Sequence, residues 1–304
     1  MALVPFNDLM AQAQQGGYAV GYFESWNLES LLAVADAAEA TRSPVLLGFS
    51  GIYLPHSRRL RADPLSAYAA LGLDVCRSLT VPAALVYNES PDLASVGRAV
   101  DLGFSLVMYS DSALAPDDRI PRIRKLAAYA HQREVAIEGE LAALPGLTGE
   151  APNGPMNEAL TNPTEARTFL EATGVDAIAV NIGQIHLHGR REVGLNLSLL
   201  ESIGKEIKAP MVLHGATSIL KEDLKQAISL GIRKVNFGSR LKQVYFHALR
   251  EACEAVPADY NPYEVVGSGL STDVLMRARL ALQDTVENLM ATLGSAGKAR
   301  EAVN

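Results

Sequence analysis

The sequence is poor in cysteine and has no excess of positive charge, and each shortage removes a class of protein. Its two cysteines, Cys76 and Cys253, lie far apart among 304 residues and fall in predicted helices. This spacing matches neither a zinc cluster nor a redox pair, so we expect small apolar fillers with free thiols in a reducing compartment. The formal net charge of −7 argues against a nucleic acid or an anionic membrane as partner, because either would repel such a surface.

Targeting signals and repeats are also missing. The first twenty residues lack the basic segment and the continuous apolar run of a secretory signal, and no uncharged stretch elsewhere is long enough to cross a bilayer. No internal repeat, low-complexity tract or interdomain linker is found. With 48% hydrophobic and 20% charged residues, the sequence predicts one cytoplasmic globular domain spanning residues 1–304.

What the sequence does contain is a regular alternation of short apolar runs with helix-length amphipathic segments. Such alternation is typical of βα units around a parallel sheet. Eight runs are present, and eight are what a closed (β/α)8 barrel, or TIM barrel, requires. They span residues 20–24, 44–49, 82–88, 104–110, 135–141, 177–183, 210–215 and 234–239.

An open, doubly wound sheet is the competing architecture for an α/β chain. It usually has fewer strands and often a GxGxxG turn after the first, whereas the first run here continues as GYFESWN. From Asp273 onward, apolar residues at helical spacing predict an extra long C-terminal helix, which would cap the barrel or contact another subunit. Between Gly146 and Pro163, a polar segment rich in Gly, Pro and Asn predicts a functional loop.

Polar residues at the predicted strand ends are the candidate functional residues. Barrels of this kind build their active sites at the C-terminal ends of the strands, so these side chains should converge on one mouth. Imidazoles gathered with carboxylates form the ligand set expected for zinc or a similar divalent ion. The candidates are Glu24, Asn88, Glu89, Ser110, Asp111, Glu138, Glu140, His186, His188, His214, Asn236 and Ser239.

Small residues after the last two strands predict an anion site at the same mouth. Gly215 and Thr217 follow the seventh run, while Gly238 and Ser239 follow the eighth. Loops in these places commonly hold phosphate through backbone N–H groups and small hydroxyls. The same residues also fit an ordinary strand-to-helix turn, so their position on the barrel carries most of the argument.

Nearly the whole chain resembles the class II (metal-dependent) fructose-bisphosphate and tagatose-bisphosphate aldolase family. The order and spacing of the matching segments are specific to that family. The resemblance implies a TIM barrel, a divalent metal such as zinc, a sugar-phosphate substrate and a homodimer or homotetramer. The segments are WNLESLLAVADAAEATRSPVLL, GFSLVMYSDSAL, AYAHQREVAIEGELAAL, TNPTEARTFLEATGVDAIAVNIG, APMVLHGATS, GIRKVNFGSRL and LGSAGKA.

The resemblance also implies roles for individual residues. Glu140, His186 and His214 match three metal ligands of the family, with His188 as an alternative to His186, and Glu89 stands where the fourth ligand, a histidine, is found. The substrate's phosphate and ketose end would contact Gly215, Thr217, Asn236 and Ser239, with Arg190 or Arg191 in place of a lysine of the family.

The chain departs from the family pattern at several of these places. Where the family reads ALHLDHG, this chain reads ALVYNES, which puts Asn88 at the catalytic aspartate. The GGxED lid motif is missing and leaves Glu150 as the nearest acid, while the acid of the eighth strand has become Gly238. A DPR-like element reads LSTDV without its arginine, so one substrate phosphate is expected rather than two.

These departures from the family pattern determine which functional hypotheses the sequence supports. An amide cannot accept a proton at neutral pH, so Asn88 could orient a hydroxyl but not deprotonate it. Glu89 is then a metal ligand or a base, and we favour a ligand because its position matches one. The leading hypothesis is a divergent metal-dependent aldolase-type lyase with Asn88, Glu89 and Glu150 as catalytic candidates. The alternatives are a non-catalytic binding or regulatory homologue and a metal-dependent sugar-phosphate isomerase or epimerase.

Overall fold

Eight parallel strands pair in chain order and close on themselves, since β1 pairs with both β2 and β8. The computed structural model describes residues 2–141, 144, 160–185 and 192–299. The predicted (β/α)8 barrel is therefore confirmed. Its strands are β1 Val20–Ser25, β2 Val45–Ser50, β3 Ala83–Ser90, β4 Leu106–Tyr109, β5 Ala136–Glu140, β6 Ala177–Ala179, β7 Met211–Leu213 and β8 Ile232–Phe237.

Helices alternate with these strands and cover the outside of the barrel. Several begin at a side-chain cap, as where Asn27 and Ser30 form a reciprocal capping box at the start of α2. The helices are α1 Phe6–Gly16, α2 Leu28–Thr41, α3 Leu65–Ser78, α4 Leu93–Asp101, α5 Pro116–His131, α6 Pro163–Thr173, α7 Leu197–Glu206, α8 Lys221–Ser229, α9 Ser239–Glu254, α10 Pro262–Val265 and α11 Val274–Leu293.

Apolar side chains fill the inside of the barrel from the end that α1 closes. Side chains alternate along a strand, so one set points inward and the other packs against the helices. The inward set, including Val20, Leu46 and Val212, forms one buried cluster with Phe6 and Leu9 of α1. Because α1 and apolar side chains occupy this end, the opposite, C-terminal end is left for polar side chains.

Some details differ from the sequence predictions. Strands β6 and β7 are shorter than their apolar runs, and Ser239 begins α9 instead of ending β8. Both cysteines are free, but only Cys76 is buried; Cys253 is exposed on α9, so its prediction as an apolar filler was wrong. A helical pattern shows that one face is apolar, but it does not show which position along that face a neighbouring helix covers.

The predicted long C-terminal helix is present as α11. It packs against α2 and α9 on the side of the barrel rather than over an end. Its buried side chains recur every four residues and include Ala278, Leu282, Val286 and Met290. In the described ranges, no helix has both the length and the apolarity needed to cross a membrane.

Asp273 caps α11, and we expect its charge to contribute to stability. Its carboxylate accepts hydrogen bonds from the backbone N–H groups of Leu275 at 3.0 Å and Gly269 at 2.8 Å. Burial works against the charged form, but these donors outweigh it and lower the pKa of Asp273 below its ordinary value of 3.8. The stabilisation is therefore complete above about pH 3.8 and is lost as the pH falls through the lower folded-state pKa.

Asp273→Ala should lower the free energy of unfolding by about 1–2 kcal/mol at pH 7, and Asp273→Asn by less, because the amide oxygen still accepts a hydrogen bond. Urea unfolding at pH 7 and pH 3 measures both variants. The difference between wild type and Asp273→Asn should shrink at pH 3, and a difference that stays constant would contradict the assignment.

Candidate functional site

A pocket of about 350 Å³ opens at the C-terminal mouth of the barrel. Its walls come from β1, β2, β3, β7 and β8 and from the segments that follow them. Residues far apart in sequence thus share one cavity, as expected when parallel strands end at the same edge. The predicted site residues that line it are Glu24, Asn88, Glu89, His214, Gly215, Thr217, Asn236, Gly238 and Ser239.

The end of β3 has an irregular backbone that directs two neighbouring side chains into this pocket. The pairing of β3 with β4 shifts between Tyr87 and Ser90, and Glu89 has a φ of 52°. A residue other than glycine in this left-handed region costs on the order of 1–3 kcal/mol, and such strain is concentrated at functional sites. In a regular strand Asn88 and Glu89 would face opposite sides, but here both line the pocket.

His214 lies between two carboxylates at the base of the pocket. Its Nδ1 is 3.1 Å from Glu89 Oε1, its Nε2 is 2.6 Å from Glu138 Oε1, and its side chain is only 4% exposed. Burial works against the imidazolium, but the carboxylates of Glu89 and Glu138 outweigh it and raise the pKa of His214 to about 10. Both ring nitrogens are thereby oriented.

A buried lysine that was not among the predicted site residues lies below His214. Lys234 Nζ donates to Glu138 Oε2 and to Asn236 Oδ1, both at 2.7 Å, and the side chains of Lys234 and Glu138 have no exposed surface. Burial raises the pKa of Glu138, but Lys234 and His214 outweigh it and lower that pKa overall. The sequence did contain a signal for Lys234: this charged residue stands two positions before Asn236 and therefore on the same inward face of β8.

Two amides complete a ring of contacts with Glu89 and His214. Asn236 Nδ2 donates to Asn88 Oδ1 at 3.3 Å and lies 3.0 Å from His214 Nε2. Asn88 Nδ2 in turn donates to Glu89 Oε2 at 2.7 Å. An aspartate at position 88 would place a second carboxylate against Glu89, so the amide at 88 suits the glutamate at 89.

Glu140 also faces the inside of the barrel, as its shared parity with Glu138 predicts. The intervening Gly139 points outward, where a Cβ would meet Phe169. Glu140 accepts a hydrogen bond from Ser110 Oγ. Burial and the nearby charge of Glu89 raise the pKa of Glu140.

The donor atoms of Glu89 and His214 are spaced as two ligands of one metal ion would be. With metal–ligand bonds near 2.1 Å, two ligands of a tetrahedral ion lie roughly 3.4 Å apart, and these two atoms lie 3.1 Å apart, at hydrogen-bond distance. The ranges that the structure describes contain no group of three or more His, Cys, Asp or Glu side chains arranged for a metal ion. The predicted residues Glu150, His186, His188 and Arg190 lie outside the described residues.

On the β1 side of the pocket, Glu24 occupies the space beside Gly238. A Cβ at position 238 would stand 2.8 Å from Glu24 Oε2. Glu24 forms an ion pair with Lys242, whose Nζ lies 5.8 Å from the ring centroid of Trp26 and 5.2 Å from that of Tyr53. A carboxylate from β1 therefore occupies the space that a side chain at position 238 would need.

We expect Glu24 and an acid at position 238 to exclude each other. Gly238→Asp should lower the free energy of unfolding by about 1–2 kcal/mol, because two carboxylates then compete for one half-buried space. Adding Glu24→Gln should recover most of the loss. Gly97→Asp on α4 is the control, because a Cβ there meets no neighbour. Additive losses in the double variant, measured by urea unfolding, would show that the two positions do not interact.

Comparison with known proteins agrees with the barrel fold. The sequence matches the family model of class II fructose-bisphosphate aldolase over residues 4–298. The structure is similar to that of the YdjI aldolase from Escherichia coli K12, with a TM-score of 0.78, 25% identity, and coverage of 98% of this chain and 100% of that one.

Two further solved structures are similar. One is a putative fructose-1,6-bisphosphate aldolase from Coccidioides immitis, with a TM-score of 0.79, 27% identity and coverage of 96% of each chain. The other is the fructose-bisphosphate aldolase from Campylobacter jejuni, with a TM-score of 0.77, 19% identity, and coverage of 98% of this chain and 97% of that one; it bears on the fold alone. Because the family model spans nearly the whole sequence, the chain belongs to the class II fructose-bisphosphate aldolase family.

Proposed function

We propose that this protein is a divergent metal-dependent lyase of the aldolase type, which breaks or forms a carbon–carbon bond in a phosphorylated ketose through an enediolate. Family membership supports the reaction class. The observation that carries the proposal is the pair of facing donors, Glu89 Oε1 and His214 Nδ1, at the base of a pocket rimmed by small residues.

A divalent ion, zinc in the first instance, would be held by Glu89, Glu140, His214 and His186 or its neighbour His188. When bound, such an ion polarises the ketose carbonyl and stabilises the negative charge of the enediolate. The carboxylate of Glu89, as a ligand in place of an imidazole, would lower the net positive charge of the site and weaken the Lewis acidity of the ion. Oxo-compounds that enolise readily would therefore suit this site best.

Residues behind the proposed ligands would hold His214 in one orientation. Glu138 accepts the hydrogen of Nε2, which leaves Nδ1 directed at Glu89. A carboxylate in this place fixes the tautomer and raises the basicity of a ligating histidine. Lys234 balances the charge of Glu138 inside the barrel, and it also holds Asn236 in place.

The substrate's phosphate would lie at the loops after β7 and β8. Gly215 has a φ of 66°, followed by a short 3-10 turn at Ala216–Ser218, and α9 begins at Ser239. The N-terminus of a 16-residue helix presents backbone N–H groups and a positive dipole end, which favour a bound anion. Thr217 and Ser239 would add hydroxyl donors, and Arg190 would add a cation.

Proton transfer at this site would differ from that of the family, because Asn88 cannot act as a base. Its amide donates to Glu89 and accepts from Asn236, so both of its polar atoms have partners. Glu89 would remain a ligand rather than a base, because its position in the sequence matches that of a ligand in the family. Glu150 is then the proposed acid for the enediolate carbon.

The metal assignment predicts that replacing a ligand histidine removes metal and turnover, whereas replacing a histidine elsewhere does not. Protein purified without chelator should contain about one divalent ion per chain, and His214→Ala should lose both the ion and turnover. His131→Ala is the matched control, because His131 is 44% exposed on α5 and contacts Asp176. Elemental analysis and activity are measured on the same preparations, and full activity in metal-free protein would refute the assignment.

The reaction class predicts cleavage of phosphorylated ketoses and exchange of solvent deuterium into dihydroxyacetone phosphate. A panel of mono- and bisphosphorylated ketoses should favour those with one phosphate, because LSTDV lacks the second cation. Exchange without cleavage of any ketose would instead indicate an isomerase or epimerase. Activity gained only in Asn88→Asp would indicate a regulatory homologue, and we expect no gain, because that aspartate would face Glu89.

A further inference from the structure

Among the residues that the structure describes, none forms a hydrogen bond with the buried hydroxyl of Tyr22. Tyr22 is 1% exposed, and its Oη finds no partner among the described residues. Buried hydroxyls in native proteins are nearly always paired, so an unpaired one requires an explanation. In the described ranges Ser25 Oγ and Arg119 Nε share this condition, but neither residue lines the pocket at the mouth, whereas Tyr22 does.

The ring of Tyr22 is packed against neighbouring side chains, whereas no described residue hydrogen-bonds to its hydroxyl. Tyr22 lies opposite Asn236 in the β1–β8 pairing and opposite Leu46 in the β1–β2 pairing. Its ring belongs to the buried cluster inside the barrel, and Lys234 Nζ lies 5.2 Å from the ring centroid. Packing thus fixes the side chain at the boundary between the apolar interior and the polar mouth.

Among the described residues the hydroxyl of Tyr22 is a donor without an acceptor, and the two side-chain amide oxygens that share its pocket are already engaged. Asn88 Oδ1 already accepts from Asn236, and Asn236 Oδ1 accepts from Lys234. Burial, and then the negative charges of Glu24, Glu89 and Glu138, raise the pKa of Tyr22, so the hydroxyl keeps its proton. An acceptor would have to arrive with a molecule that enters the pocket.

We propose that Tyr22 is a further catalytic residue, whose hydroxyl donates a hydrogen bond to an oxygen of the bound substrate. The substrate class, a phosphorylated ketose, rests on the proposed function. The proton stays on Tyr22, so no bond to hydrogen is broken. The hydroxyl supplies a contact that Asn88 cannot, because the amide of Asn88 is engaged with Glu89 and Asn236.

Tyr22→Phe removes this donor and leaves the packed ring in place. Because an unpaired buried hydroxyl contributes nothing to the folded state, the melting temperature should stay the same or rise. Tyr87→Phe is the matched control: Tyr87 is fully buried, and its hydroxyl hydrogen-bonds to Ser95 Oγ at 2.5 Å. This control should melt about 2 °C lower and keep wild-type turnover.

Deuterium exchange into dihydroxyacetone phosphate tests the role in catalysis. Tyr22→Phe should lower kcat on the order of 100-fold, with a smaller change in KM, as expected for a donor that stabilises developing charge. Unchanged kcat and KM would overturn the proposal. A melting temperature lowered as in Tyr87→Phe would overturn it as well, because the hydroxyl would then have a partner within the protein.

The outcome for wild type separates this proposal from the proposed function. If the wild-type protein does not exchange deuterium into dihydroxyacetone phosphate, the proposed function fails. The change in melting temperature caused by dihydroxyacetone phosphate then decides the role of Tyr22. A shift in wild type that is absent in Tyr22→Phe would support a ligand-binding hydroxyl. Equal shifts in both proteins, or none in either, would overturn it.

Discussion

A carboxylate inside the barrel, Glu138, holds both Lys234 and His214, and the arrangement of the mouth depends on this contact. Burying a carboxylate is costly unless it is paired, and Lys234 offsets its charge while Nε2 of His214 uses its other oxygen. The direction of Nδ1 toward Glu89 follows from this. Asn236, held by the same lysine, then fixes Asn88. One ion pair therefore orients the residues that line the pocket.

Neighbouring residues at the mouth are matched to one another in charge and hydrogen bonding. The amide of Asn88 donates to Glu89, where a second carboxylate would be repelled. Glu24 fills the space beside Gly238 in the same way, and Lys242 pairs with its charge. In both places the residue type at one position suits that of its neighbour in space. Most polar groups described at the mouth are paired in this way, and the hydroxyl of Tyr22 is an exception.

The barrel and the location of its mouth could be predicted because they follow from local patterns. The apolar runs predict the strands, and their number and spacing predict how many strands the barrel has. The residues that follow the runs lie at one end of the barrel. His214, Asn236 and Glu89 were found in this way and line one pocket. Lys234 and Tyr22 were missed because an inward-facing position in a strand does not reveal what lies opposite it. Tyr22 also resembles an ordinary core aromatic until its hydroxyl is found without a partner.

The sequence by itself determined the strand count, the order of elements and the residue types at the mouth, because side-chain periodicity acts over a few neighbouring positions. Tertiary structure alone decided which of these residues touch. The contacts of His214 with Glu138 and Glu89, and of Asn236 with Asn88, join residues 76, 125 and 148 positions apart. Such pairs meet only when the barrel closes, and burial then decides which charge is balanced and which hydroxyl is left for a ligand.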